Sequence, residues 1–240
     1  MRVSLQHAYV LHTRGYRDSS LLVELFSREY GRVSLVAKGV KGGQGRKSAS
    51  GSQVALLQPF VPLYSSWSGR GSLKTSTGNE ARGPALRLEG KRVFCGLYIN
   101  ELLSRLLHHH DAHETLFDHY EASLLRLAED TELDLLLRQF EFRLLEELGY
   151  GFDLTAEGLS GEPLVEDRWY VFHQEFGLVA AETSPDADMP RFMGAEMLAL
   201  SRGDFSVELR RTAKRLMRQA LAVHLGDKPL KSRELFQKRA

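Results

Sequence analysis

Cysteine is almost absent from this sequence: Cys95 is the only one in 240 residues. A single thiol excludes an internal disulfide and any multi-cysteine zinc site, and Cys95 is expected to be buried as a small hydrophobe. Long apolar runs are absent too. Nothing approaches the ~18 consecutive apolar residues of a membrane span, and the opening MRVSLQHAYVLHTR has no apolar core of a secretory signal. A cytoplasmic location is the expectation. With 42% hydrophobic and 26% charged residues, the composition is that of an ordinary folded chain of one or two domains.

Catalytic motifs are equally scarce. The Gly39–Ser48 stretch superficially resembles a phosphate-binding loop, but Arg46 stands before Lys47-Ser48 where that motif requires glycine. There is no G-x-S-x-G elbow and no H-E-x-x-H pair. The histidines His108, His109, His110 and His113 invite a metal reading, because His109 and His113 would share one face of a helix. A polar helix end that caps free carbonyls explains them more simply. No enzyme, metal or cofactor is expected.

Charge is small in total, +1, yet strongly segregated. Residues 1–83 hold 12 basic and 4 acidic side chains, residues 84–183 hold 8 and 20, and residues 184–240 hold 12 and 7. The net values are therefore +8, −12 and +5. Such separation predicts basic surfaces for a polyanion toward both ends and an acidic middle; charges that merely solvate unrelated faces are the alternative.

From Ser4 to about Thr77, short runs rich in Val, Leu and aromatics alternate with Gly, Ser, Asp and Pro clusters, the pattern of strands and turns. His7–His12, Leu21–Phe26, Val33–Ala37, Ala55–Leu57, Phe60–Trp67 and Ser72–Thr77 are the predicted strands, with Gly39–Ser52 as a polar loop. Five or six strands in about 80 residues predict a small antiparallel barrel of the OB-fold type. From Pro84 the period changes. Helices are predicted at Lys91–His108, His113–Ala128 and Glu132–Leu148, then a hairpin of Trp169–Phe172 and Gly177–Glu182, then helices at Gly194–Ser201 and Ser206–Leu225. The fold class is thus α+β: an OB-fold barrel over 1–83, and a helical domain over 84–240 with a β insertion at about 151–183.

Arg14, Arg17, Arg32, Lys38, Lys41, Arg46, Lys47, Arg70 and Lys74 fall mostly in or beside the predicted turns, where they could track a phosphate backbone. Phe60, Tyr64 and Trp67 offer stacking faces, although alternate strand positions must give some of these rings to the core. In the tail, Arg210, Arg211, Lys214, Arg215 and Arg218 form basic stripes on a helix whose other side carries Leu209, Leu216, Leu221 and Val223. Lys228, Lys231 and Arg233 follow in a terminus expected to be exposed. Nucleic acid is the economical partner, an acidic peptide the alternative.

Five blocks carry a resemblance: AYVLHTRGYRDSSLLVELFSREYGRVSLVAKGVKG (Ala8–Gly42), LQPFVPL (Leu57–Leu63), GLYINELLSRLL (Gly96–Leu107), FEFRLLEELGYG (Phe140–Gly151) and KPLKSRELF (Lys228–Phe236). In this order and spacing the chain resembles the RecO family of bacterial recombination mediator proteins over nearly its whole length. The resemblance implies an OB-fold followed by a helical domain. It also implies a non-enzymatic, nucleoid-associated protein that binds single- and double-stranded DNA and anneals complementary strands. Such a protein acts with RecR, and in some organisms RecF, to load RecA onto DNA coated by the single-stranded-DNA-binding protein.

Many members carry a four-cysteine zinc module in the segment corresponding to Gly151–Glu182; this sequence has no cysteine there and is similar to the zinc-free proteobacterial type. Its hairpin must then rely on packing, with Trp169, Tyr170, Phe172 and Phe176 available. The resemblance further implies a pocket in the helical domain for the acidic tail of the single-stranded-DNA-binding protein. A terminal hydrophobic residue with a free carboxylate needs an apolar floor and a cation, for which Arg138, Arg143, Lys214 and Arg218 are the candidates. A protein-interaction adaptor whose DNA contact is incidental is the alternative function.

Overall fold

A computed structural model describes residues 2–40, 53–129, 131–183 and 188–237. The chain forms two compact units, Met1–Thr131 with Pro229–Ala240, and Glu132–Lys228.

The first unit contains a closed barrel of β1 (Arg2–Tyr16), β2 (Ser20–Ser27), β3 (Gly31–Ala37), β4 (Leu63–Ser68) and β5 (Leu73–Ala81), in the order β1-β2-β3-β5-β4. All pairings are antiparallel except β3 with β5. This is an OB-like arrangement. Ala8, Val10, Val23, Leu25, Val33, Leu35, Leu63 and Trp67 fill its interior. The expected strand at Ala55–Leu57 is instead a helical turn at 53–56, closed by Leu57 N–H donating to the Gln53 carbonyl at 3.1 Å. A three-residue apolar run is too short to reveal its period.

The outer face of β1 and β2 is apolar as well, which explains why the barrel takes helices into its unit. Alternation along β1 sends Ala8 and Val10 inward and Tyr9 outward. On that outer face Tyr9 and Phe26 pack with Phe117 and Tyr120, ring centroids 5.3–6.0 Å apart. Phe117 and Tyr120 belong to α2 (Glu114–Ala128), which pairs with α1 (Lys91–Leu106). Within α1, Gly96 is required by close approach: a Cβ there would lie 2.7 Å from the Phe60 ring.

The terminal KPLKSRELF run is not a loose basic tail. It forms α6 (Lys231–Gln237), preceded by buried Leu230. The Glu101 carboxylate of α1 accepts hydrogen bonds from the Lys231 N–H at 2.9 Å, the Ser232 N–H at 2.8 Å and the Ser232 hydroxyl at 2.6 Å. These bonds satisfy donors at the start of α6 that have no intrahelical partner.

The second unit holds α3 (Leu133–Glu147), a three-stranded sheet of order β7-β6-β8, α4 (Gly194–Ser201) and α5 (Val207–Leu225). The expected hairpin is β6 (Trp169–His173) and β7 (Gly177–Ala180); the third strand, β8 (Arg191–Met193), is too short to announce itself. Leu136, Phe140 and Leu144 of α3 and Leu216, Ala220 and Leu221 of α5 are buried, as are Tyr170 and Phe172. Trp169 and Phe176 are 44% and 43% exposed, so they contribute less of the packing expected of them than Tyr170 and Phe172.

The segment before β6 is held by a carboxylate. Glu157, buried, accepts from the Ser160 N–H and hydroxyl, both at 2.6 Å, and from the Ala180 N–H at 3.3 Å. One side chain thereby ties a loop to β7.

Candidate nucleic-acid interface

The register of the barrel brings three of the expected cations to one end. Leu21 pairs with Gly15 of β1 on one side and Ala37 of β3 on the other. Arg14 precedes Gly15, Lys38 follows Ala37, and Arg17 lies in the turn joining β1 to β2. All three are exposed, and no ion pair engages them among the described residues. Arg17 takes the left-handed conformation at φ 53°, with its guanidinium 5.3 Å from the centre of the Tyr16 ring.

Arg70 is exposed in the turn between β4 and β5. Because Leu73 pairs in parallel with Ser34, that turn lies toward the Gly31 end of β3, away from Lys38. Lys41, Arg46 and Lys47 lie outside the described residues.

Two expected contacts are engaged within the protein and require correction. Lys74 is 7% exposed, its ammonium donating to the Gly71 carbonyl at 2.6 Å. Its strand position points it at the barrel, and its aliphatic stem tolerates burial. Arg32 is half-buried: its guanidinium donates to the Ser104 carbonyl and lies 3.9 Å from the Glu24 carboxylate. Burial lowers its pKa, opposed by Glu24. Arg32 thus joins the barrel to α1 and is not free to meet a phosphate.

The aromatic candidates divide similarly. Trp67 is fully buried against Tyr30, and Phe60 is buried over Gly96. Only Tyr64 remains half-exposed, edge-on to His7 at 5.1 Å.

The histidine run lies past the end of α1, not within one helix. His109 forms a bridge with Arg32, and His113 precedes α2, so they do not share a helical face. Among the described residues, no cluster of three or more His, Cys, Asp or Glu could hold a metal ion, and no helix is long and apolar enough to cross a membrane.

In the second unit, Glu132 pairs with Arg210, and Asp134 lies 3.9 Å from Lys214. These contacts, with the buried faces of α3 and α5, form a seam between the two helices. Arg218 lies one turn beyond Lys214 on α5. Lys214 and Arg218 are exposed. Arg138 is 6% exposed and donates to Glu141 at 2.7 Å. Arg143 bonds to Glu146 at 2.6 Å and sits five residues from Arg138, about 140° around the helix, which takes it off the seam.

Sequence reading missed Asn100. It is 2% exposed, donates to the Val10 and Leu11 carbonyls at 3.3 and 3.2 Å, and accepts from the Tyr120 hydroxyl at 2.8 Å. An amide inside an apolar helical stripe is the signal that could have found it.

Comparison with known proteins agrees with this architecture. Residues 1–84 match the family model described as "Recombination protein O N terminal", and residues 87–234 match "Recombination protein O C terminal". The chain is similar to a protein named "DNA repair protein RecO" from Methylococcus capsulatus, 46% identical over 237 residues, covering 98% of this chain and 94% of that one. A protein of the same name from Nitrosococcus oceani is 47% identical over 238 residues, covering 99% and 94%. Another from Pseudomonas aeruginosa is 44% identical over 236 residues, covering 98% and 95%.

Proposed function

The chain belongs to the RecO family of recombination proteins, and from that premise we propose that it serves DNA repair as a mediator, binding and annealing DNA without catalysing a reaction. Single- and double-stranded DNA are its ligands. RecR, in some organisms RecF, and the single-stranded-DNA-binding protein are its partners in loading RecA.

The observation that carries the DNA reading is the grouping of exposed Arg14, Arg17 and Lys38 at one end of the β1–β2–β3 meander. Cations at strand ends fit a phosphate backbone without reading bases, and they predict binding with little sequence preference. The acidic tail of the single-stranded-DNA-binding protein is assigned to the seam of α3 and α5, where Lys214 and Arg218 are the accessible cations.

A salt titration tests the proposal. If about six phosphates are neutralised, log K for single-stranded DNA falls with log salt at a slope of roughly −4, from −0.7 per contact. A slope near zero, or affinity confined to protein partners, favours the adaptor reading instead.

A further inference from the structure

Within the second unit, part of the acidic middle of the chain borders a pocket rich in aromatic rings. About 270 Å³ in volume, the pocket is lined by Tyr150, Phe152, Phe172, Phe176 and His224, with Asp153 and Glu175 beside them. No lysine or arginine lines it. Tyr150 and His224 stack at 3.8 Å, nearly parallel, and Phe152 meets Phe172 edge-on at 4.8 Å.

Three independent features give this pocket a negative potential. First, Asp153 and Glu175 are exposed. Hydrogen bonds from the Thr155 hydroxyl and main-chain N–H hold the Asp153 carboxyl below its ordinary value, so it is ionised at neutral pH. Second, two helices end here. The lining residues Gly149–Gly151 directly follow α3, and His224 belongs to the last turn of α5. Each helix C-terminus presents the negative end of its macrodipole. Third, aromatic faces carry a negative quadrupole that attracts cations. Burial pushes His224 below its usual value, so the imidazole adds no positive charge at neutral pH.

We propose that this pocket receives an arginine or lysine side chain from a partner protein. A guanidinium or ammonium group would lie among the rings, with Asp153 and Glu175 as its counter-ions. The source is a polypeptide and not a free polyamine, because Tyr150 and Phe176, 40% and 43% exposed, offer apolar rim for the residues on either side of the inserted cation. The pocket repels phosphate for the same reasons, which separates it from the cationic end of the barrel. The inference goes beyond the DNA reading and does not rest on it.

The test uses the full chain with carbon-13-labelled tyrosine and histidine, titrated with the peptide acetyl-Ala-Arg-Ala-amide. The Tyr150 and His224 ring signals should shift and saturate. The same peptide with neutral citrulline in place of arginine should bind at least tenfold more weakly. The double variant Asp153→Asn, Glu175→Gln should also lose at least tenfold in peptide affinity, while its melting temperature and its affinity for single-stranded DNA stay unchanged. Asparagine at 153 keeps an acceptor for Thr155, so folding is preserved. Equal binding of the citrulline peptide, absence of any shift at those two rings, spermidine matching the arginine peptide, or an oligonucleotide moving the same signals would each overturn the proposal.

Discussion

The side-chain amide of Asn100 donates to the Leu11 carbonyl at 3.2 Å, at the point where β1 departs from regular pairing. Val10 pairs with Leu25 and His12 with Glu24, so Leu11 is the extra residue of a bulge, left without a ladder partner. Asn100 also takes the Val10 carbonyl and accepts from Tyr120. A buried amide on α1 thereby satisfies the irregularity that bends β1 and links it to α2.

Asn100→Leu should therefore destabilise the protein by about 2–4 kcal/mol, because it leaves buried carbonyls and a phenol unpaired at about 1–3 kcal/mol each, partly relieved by relaxation. Denaturant unfolding measures this. A loss under about 0.5 kcal/mol would show that the contact is incidental.

Gly96→Val should cost about 1–3 kcal/mol, the usual range for overpacking a core, since its Cβ would enter the Phe60 ring. Adding Phe60→Leu should restore part of the loss. If the two losses simply add, the steric account is wrong.

The carboxylates of Glu157 and Glu101 make the fold acid-sensitive in a defined window. Burial raises each pKa, but hydrogen bonds outweigh it, from Ser160 and Ala180 onto Glu157 and from Ser232 and Lys231 onto Glu101, so both lie below their ordinary values. Their stabilisation is complete above the unfolded-state value of about 4.3 and disappears as pH falls through the lower folded-state values. Glu157→Gln should thus melt below the wild type at pH 7, and the gap should close as pH falls through the lowered folded-state value. Melting curves across pH decide it, and a gap independent of pH refutes the assignment.

Replacing Arg14, Arg17 and Lys38 together by alanine should weaken single-stranded DNA binding alike for all sequences and flatten the salt slope by about 2, from −0.7 per contact. Lys74→Met should leave that slope unchanged, because its ammonium is spent on Gly71. Titrations of both variants by fluorescence anisotropy distinguish them; equal losses would return Lys74 to the interface.

An acidic peptide that ends in a free carboxylate should bind the full chain, and amidating its terminus should weaken it roughly ten- to hundredfold, the equivalent of about 1.5–3 kcal/mol for a charge-assisted hydrogen bond. Lys214→Glu should reduce peptide binding more than DNA binding. Should both activities fall together, one shared basic surface replaces the two-site account.

The strand and helix order of this protein was legible in its sequence, because burial imposes period 2 on strands and 3.6 on helices wherever apolar residues are dense enough to show it. The barrel class, α1 to α5, and the hairpin followed from that rule. The rule is silent where the run is short, as at Ala55–Leu57 and Arg191–Met193, and where a strand is polar, as around Lys74. Its one apolar neighbour, Leu73, is exposed while Lys74 is buried, so the apolar phase points the wrong way and Lys74 could not be assigned to the inner face from sequence. Sequence also identified the cations that could meet a polyanion, but not which of them are free to do so. Pairing register gathered Arg14, Arg17 and Lys38 and sent Arg70 the other way. Contacts across long stretches of chain engaged Arg32 with Ser104 and capped the terminal helix with Glu101. Periodicity is a local consequence of burial, whereas availability depends on which distant residue arrives alongside, and only the tertiary structure decides that.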